Sequence, residues 1–199
     1  MDERGSCAVV VRDATKDDMA ELYEMIQELA VYEKLTDDAR LNIEDLVRDG
    51  AGPQPWFGCK VARVGVDVGV GVGVGEGRGP LAGYALFHRA FGTCSGRCLK
   101  LEDLFVREPF RRRGVGASLF AAVAEEALAL GCRRLELHVL AWNPARSFYE
   151  ARGAEELSAR WRLYRLGPDE LRRAAHAHSS SHAHSSSHAH SSSHAHSHS

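Results

Sequence analysis

The chain contains 199 residues, 26% of them charged, and has a formal net charge of −2 at pH 7. This balance argues against a nucleic-acid partner, and the apolar runs are far shorter than a membrane span. Because Met1-Asp2-Glu3-Arg4 lacks the pattern of a signal peptide, and the 5 cysteines are an odd and scattered set, we expect a soluble cytoplasmic protein with reduced thiols.

The first third of the sequence predicts one strand and two helices. Residues 8–11 are typical of a short strand, and Thr15 with Asp18 indicates the start of a helix that runs to about Glu33. Since Glu33 continues the apolar stripe of this helix, we expect its carboxylate to face inward or to line a cleft. Asn42 predicts the cap of a second helix over 43–48.

The middle of the sequence predicts three strands and a long helix. Residues 56–64 and 81–87 are typical of strands, and they flank a Gly/Val alternation, 65–79, that we interpret as a flexible hairpin connection. The Gly-x-Gly repeats also suggest a nucleotide loop, but no helix follows them. Residues 99–106 predict the next strand, and a helix over 114–130 ends at Gly131.

The last part of the sequence predicts a strand, a helix, a final strand and a tail. We expect strands over 135–140 and 161–166, with a helix between them that is capped by Asn143 and closed by Gly153. From residue 175 onward the chain contains only His, Ala and Ser, which indicates disorder, and the histidines are either solvated or bind zinc, nickel or copper loosely. We therefore predict one α/β domain over 8–167, with disordered segments 1–7 and 168–199. The order of elements favours a mixed sheet with helices on both faces.

The turn before the long helix is a candidate phosphate-binding loop. It reads Arg111-Arg112-Arg113-Gly114-Val115-Gly116-Ala117. Small residues let the backbone approach a ligand, and the first amides of a helix lack acceptors, so an anion can bind there. The alternative is an ordinary strand-to-helix turn with solvated arginines. A Walker loop is excluded because Ala117-Ser118 stands where it needs Lys and then Ser or Thr, and the dinucleotide fingerprint needs a different glycine count.

Other segments extend the pattern of this turn. They are Leu101-Glu102-Asp103-Leu104-Phe105-Val106, Trp142-Asn143, Ser147-Phe148-Tyr149 and Arg152-Gly153-Ala154. Together with the turn, they resemble the GNAT acetyltransferases, and among these the spermidine/spermine (diamine) and thialysine acetyltransferases. The resemblance runs from about Val9 to about Leu166. It implies a mixed, mostly antiparallel sheet with splayed central strands, an acetyl-CoA-dependent N-acetyltransferase and a homodimer. This chemistry requires no metal.

The resemblance also implies a set of site residues. The backbone of the strand end would bind the acetyl and pantetheine groups, and the turn, with Arg111 at its first position, would bind the pyrophosphate. Tyr149 matches the general acid, Glu102 lies at the amine, and Tyr32 and Glu33 complete the acceptor site. Residues implied to bind the cofactor are Leu104, Phe105, Val106, Arg111, Arg112, Arg113, Gly114, Val115, Gly116, Ala117, Asn143 and Arg152.

Glu102 and Tyr149 also have structural interpretations. Adjacent residues of a strand point to opposite faces, so we expect only one of Glu102 and Asp103 to reach any single site. We assign Glu102 as the acceptor anchor and water-relayed base, with an exposed strand carboxylate as the alternative. Tyr149 is either the acid or a core residue beside Phe148.

The acceptor site departs from the diamine acetyltransferases. Where they carry carboxylates for the distal amines of a polyamine, this chain has Gly92 and Ser158-Ala159-Arg160. We therefore expect small amines or lysine-like acceptors to bind better than long polycations. The alternatives are a protein or peptide lysine acetyltransferase, and an inactive acyl-CoA-binding sensor.

Overall fold

A five-stranded mixed sheet forms the framework of the first of two units in the chain. The computed structural model describes residues 9–37, 41–64 and 79–176, and the chain divides into Met1–Arg146 and Ser147–Ser199. The strands lie in sequence order, the first four antiparallel and the fifth parallel to the fourth, which confirms the mostly antiparallel sheet. They are β1 (Val9–Asp13), β2 (Gly58–Val64), β3 (Leu81–Gly92), β4 (Gly96–Val106) and β5 (Arg134–Leu137).

Helices cover both faces of this sheet, as predicted. On one face, Met25 and Leu46 from two helices form a buried core with Tyr84 of β3. Gly83 points to the other face, where an added Cβ would lie 3.2 Å from Leu119 of a third helix. None of the described helices has the length and apolar composition that a bilayer span requires. The helices of this unit are α1 (Met19–Glu33), α2 (Ile43–Ala51) and α3 (Val115–Ala129), with 3-10 turns at Lys16–Asp18 and Glu108–Phe110.

The hairpin of β3 and β4 is longer than predicted. β3 continues past Phe87 to Gly92, and β4 begins at Gly96. Arg89 lies opposite Leu99 in this extension. The sequence did not indicate it because backbone hydrogen bonds pair the strands whatever the polarity of their side chains.

The second unit differs from the prediction at two points. α4 (Arg146–Glu150) begins at the last residue of the first unit and continues into the second, and α5 (Pro168–His176) occupies the beginning of the segment predicted to be disordered. Ion pairs one helical turn apart support α5, with Arg172 2.7 Å from Asp169. The described part of this unit contains no strand, so the strand predicted over 161–166 is wrong. Its apolar pattern gives strand propensity, but a strand also needs a neighbour for its backbone hydrogen bonds.

Several sequence predictions lie outside the described residues. These are the N-terminal segment 1–7, nearly all of the Gly/Val stretch 65–79, and the His-rich part of the tail from residue 177. The single domain over 8–167 stays a prediction.

Asp18 ties the start of α1 to the sheet. Its side chain is 2% exposed and lies 2.7 Å from Arg12 of β1 and 2.9 Å from Arg63 of β2. The amide of Thr15 donates to the same carboxylate at 2.7 Å. Burial alone would raise the pKa of Asp18, but the hydrogen bonds from Arg12, Thr15 and Arg63 outweigh it and hold that pKa well below its usual range.

An Asp18→Ala exchange should lower the free energy of unfolding by about 1–3 kcal/mol, because it removes the buried carboxylate that accepts hydrogen bonds from Arg12, Arg63 and the Thr15 amide. Urea unfolding measures this loss. Asp17→Ala is the matched control, since Asp17 is an exposed neighbour in the same turn.

The pH dependence of this difference has a definite sign. Because the pKa of Asp18 is depressed by folding, the stabilisation should be fully present above the ordinary Asp pKa of about 3.9 and should shrink as the pH falls below it. Equal stability of the two variants at pH 7 would contradict the assignment.

Candidate active site

The turn between β4 and α3 ends in an open helix N-terminus. Gly114 has a left-handed backbone, with φ of 84°, and caps α3; the first helical hydrogen bond runs from the Ser118 amide to the Gly114 carbonyl at 3.0 Å. The amides of Val115, Gly116 and Ala117 therefore have no acceptor within the helix. A Cβ added at Gly114 would meet nothing within 4 Å, so the space beside the turn is open. This geometry fits the pyrophosphate of CoA, because its oxygens can accept hydrogen bonds from these amides.

The three arginines of the turn differ in their contacts. Arg112 and Arg113 are exposed. Arg111 donates from Nε to the Val106 carbonyl at 2.8 Å, and its guanidinium lies over the Tyr32 ring at 5.4 Å from the centroid. Arg111 thus joins the turn to α1, whereas Arg112 and Arg113 are accessible to a phosphate. The pyrophosphate contacts of all three stay a prediction.

β4 continues past the end of β5 before it reaches the turn. The parallel ladder ends at the pair of Leu101 and Leu137, but β4 continues to Val106. The backbone of Leu104, Phe105 and Val106 therefore has no partner on β5 in the described chain. This edge is the segment predicted to bind the acetyl and pantetheine groups, and the splay of the central strands stays a prediction.

A β-bulge interrupts β4 at Glu102. Leu86 pairs with Asp103 and the next residue, Phe87, pairs with Leu101, so Glu102 has no partner on β3. A bulge breaks the alternation of side chains along a strand. The prediction that Glu102 and Asp103 cannot share a site is wrong for this reason, since both line one cleft.

This cleft combines apolar walls with negative charge. Its volume is about 410 Å³, within the range of small-molecule sites. Ion pairs of 2.7 Å from each of two α2 carboxylates to Arg48 offset the charge on that side. In the described chain, Glu102 and Asp103 have no such cationic partner. The lining comprises Ile26, Leu41, Asp45, Leu46, Asp49, Trp56, Phe57, Leu86, Glu102 and Asp103.

Asp103 is half-buried and has a hydrogen-bond partner inside the sheet. The hydroxyl of Tyr84 donates to Asp103 Oδ2 at 3.1 Å, and Tyr84 itself is fully buried. Burial raises the pKa of Asp103 to about 6; the charges of Glu102 and Glu33 add to the rise, and the hydrogen bond from Tyr84 opposes it. Asp103 therefore titrates much closer to neutrality than an ordinary aspartate.

The end of α1 contributes two of the predicted acceptor residues. Burial raises the pKa of Glu33, and a hydrogen bond from the Asn143 side chain opposes this rise. Asn143 is buried, and its Oδ1 accepts from the Ala145 amide at 2.9 Å, as expected of a helix cap. Tyr32 packs against Trp142, with ring centroids 5.9 Å apart. Asn143, predicted to contact CoA, thus interacts with Glu33, which is predicted to bind the acceptor.

Two predicted residues lie in the second unit. Tyr149 of α4 is buried, and its ring meets that of Phe148 edge-on at 5.2 Å. The Arg152 guanidinium lies 3.6 Å from the centroid of the Phe148 ring. The general-acid role of Tyr149 and the phosphate contact of Arg152 stay predictions.

The sequence prediction missed the pair of Asp103 and Tyr84. One signal was available, because Tyr84 is the only hydroxyl-bearing residue in the apolar run Leu81–Phe87, and a buried tyrosine usually finds a hydrogen-bond partner. The identity of that partner depends on the bulge, which the sequence did not indicate.

The mixed sheet and the open helix N-terminus after β4 fit the predicted acetyltransferase fold, and sequence comparison gives the family. Residues 19–154 match the acetyltransferase (GNAT) family. The chain belongs to this family.

Two named acetyltransferases are similar to this chain in sequence. Thialysine N-epsilon-acetyltransferase of Bos taurus is 36% identical over 171 residues, which are 84% of this chain and 97% of that protein. L-ornithine N5-acetyltransferase NATA1 of Arabidopsis thaliana is 42% identical over 93 residues, 46% of this chain and 40% of that protein.

Solved structures share the fold. An integron cassette protein of V. cholerae superimposes with a TM-score of 0.62 at 22% identity, covering 84% of this chain and 97% of that one. An aminoglycoside N-acetyltransferase in complex with CoA gives a TM-score of 0.59 at 21% identity, covering 83% of this chain and 99% of that one.

A Gly114→Ala exchange should weaken CoA binding by about tenfold, or about 1.4 kcal/mol, because an alanine strains the left-handed turn and moves the amides that follow it. Calorimetric titration with CoA measures the change. Gly96→Ala is the matched control, since Gly96 has φ of 80° and equally open surroundings in the β3–β4 hairpin. The same CoA affinity in both variants would show that the turn does not hold the cofactor.

Proposed function

We propose that this acetyltransferase transfers the acetyl group of acetyl-CoA to a primary amine of a small diamine, polyamine or thialysine-like acceptor. The observation that carries the proposal is the position of Glu102 and Asp103. These two carboxylates lie in an apolar-walled cleft, without a cationic partner in the described chain, on the strand that leads to the open N-terminus of α3. The names of similar proteins, which act on thialysine and ornithine, support an amine of this class.

The chemistry requires the acceptor to lose a proton. An alkylammonium with a pKa near 10.4 is deprotonated in about one molecule in two thousand at pH 7, a deficit of about 4.6 kcal/mol. The neutral amine nitrogen then bonds to the thioester carbonyl carbon, the carbon–sulfur bond breaks, and the sulfur leaves as CoA thiol after taking up a proton. The overall reaction releases one proton from the ammonium to solvent.

On the acceptor side, Glu102, Glu33 and Tyr32 are proposed to bind the ammonium. The apolar walls, which include Trp56 and Phe57, suit the methylene groups of the acceptor. Because this chain has no carboxylate at Gly92 or over 158–160, where the diamine acetyltransferases carry them, a short acceptor is expected to be preferred over a long polycation.

On the cofactor side, acetyl-CoA is proposed to bind along the open edge of β4 and at the turn. The backbone of Leu104, Phe105 and Val106 would bind the acetyl and pantetheine groups, and residues 111–117 the pyrophosphate. Tyr149 is proposed to protonate the departing thiolate. The homodimer that the resemblance implies stays a prediction.

An acceptor screen with labelled acetyl-CoA tests this function. Purified protein should acetylate thialysine or 1,4-diaminobutane faster than spermine and faster than lysine-containing peptides. Turnover of peptides alone would identify a protein acetyltransferase, and CoA binding without any product would identify a sensor. Either result would overturn the proposal.

A Tyr149→Phe exchange should lower the single-turnover rate about 100-fold, since general acid catalysis contributes factors of this size, and should leave acetyl-CoA affinity nearly unchanged. Rapid-quench measurements give the rate. Tyr164→Phe is the control, because Tyr164 is 82% exposed in the same unit. An unchanged rate in the Tyr149 variant would remove the assigned acid.

A further inference from the structure

The carboxylate of Asp103 differs from the other acids of the cleft in its surroundings. Asp45 and Asp49 each pair with Arg48 at 2.7 Å, and Glu102 is exposed to solvent. Asp103 is half-buried, and the donor to its Oδ2 is a neutral phenol, Tyr84. Its negative charge is therefore stabilised by one hydrogen bond and no ion pair in the described chain.

We propose that Asp103 is the proton acceptor for the amine substrate, and that Tyr84 is a positioning residue that holds this carboxylate in the cleft. This inference rests on the proposed function. It assigns Glu102 as the anchor for the ammonium and separates that role from proton transfer, which the sequence alone gave to a single residue.

The geometry supports this division of roles. The bulge at Glu102 brings two successive carboxylates to one cleft, so an ammonium there can contact both. Tyr84 donates to Oδ2, which leaves Oδ1 of Asp103 for the substrate. Tyr84 is held in turn by the core, where its ring lies 6.1 Å from that of Phe105.

The proton balance of this step is simple. One N–H bond of the ammonium breaks, and its proton bonds to Asp103 Oδ1, which leaves a neutral amine and a neutral carboxyl group. The carboxyl returns the proton to water before the next cycle. A base whose pKa lies near the working pH is better suited to this exchange than an ordinary carboxylate, because it is ionised and still holds a proton well.

The charged and titratable groups around Asp103 shift its pKa in both directions. Glu33 and Glu102 add negative charge, and Tyr84 stabilises the ionised form. The charged and titratable groups that face Asp103, on its own strand and on the elements packed against it, are Glu33 of α1, Asp45, Arg48 and Asp49 of α2, Cys59 of β2, Tyr84 of β3 and Glu102 of β4.

Two exchanges test the proposal in the full-length protein, with thialysine and 1,4-diaminobutane as acceptors. Asp103→Asn should lower kcat/KM for the amine about 100-fold and remove the acidic limb of its pH profile, with the KM for acetyl-CoA unchanged. Tyr84→Phe should retain turnover but shift that limb to higher pH, because the donor that lowers the pKa of Asp103 is lost. Asp17→Asn and Tyr23→Phe are the matched controls and should behave as wild type.

A direct titration separates this inference from the proposed function. In carboxylate-labelled protein without substrate, the NMR signal of Asp103 should titrate near pH 6 and move higher in the Tyr84→Phe variant. Thermal unfolding and CoA titration of each variant confirm that it is folded.

The outcomes are distinct. A wild-type protein that acetylates amines, together with an Asp103→Asn variant of equal kcat/KM, would overturn the inference and leave the proposed function intact. An unmoved titration of Asp103 in the Tyr84→Phe variant would overturn the role of Tyr84. A wild-type protein that acetylates no amine would overturn the proposed function itself.

Discussion

The pairing of β4 changes on both of its sides at the same point of the strand. On one side the ladder with β5 ends at Leu101, and on the other the register with β3 shifts so that Glu102 has no partner. The first change opens a backbone edge that leads to the turn at Gly114, and the second brings Glu102 and Asp103 into one cleft. Under the proposed function, these two features place the binding sites for both substrates along one strand.

Several arginines next to the sheet form ion pairs outside the cleft that holds Glu102 and Asp103. Asp18 is held by Arg12 and Arg63, and Arg107, which follows β4, lies 2.9 Å from Glu21 of α1. These cations are therefore occupied away from the cleft. Glu102 and Asp103 have no ion-pair partner in the described chain, and partial burial makes the ionised form of Asp103 less stable. A cationic ligand would relieve this cost, which is why the electrostatics favour an amine.

The sequence predicted correctly the elements that depend on local patterns. Its predictions were wrong or incomplete where the structure of a segment depends on the strand that pairs with it. α1 and α3 follow from the spacing of apolar residues, and the glycine turn was located because its signal is contiguous. The extension of β3 to Gly92, the bulge at Glu102 and the missing strand over 161–166 all depend on which backbone lies alongside, and periodicity does not encode that. The candidate site was incomplete for the same reason. Glu102 was found by resemblance, whereas the link between Asp103 and Tyr84 exists only once two strands are in register.

The contact of Arg111 with Tyr32 has a consequence for redesign of the acceptor pocket. Arg111 binds the Val106 carbonyl with the same guanidinium that covers the Tyr32 ring, so the aromatic surface beside Glu33 also supports the segment entering α3. Under the proposed site assignments, selectivity for the amine and affinity for CoA are therefore coupled through Arg111. On these assignments, we expect variants of Tyr32 selected for bulkier amines to differ also in the Michaelis constant for the acyl donor.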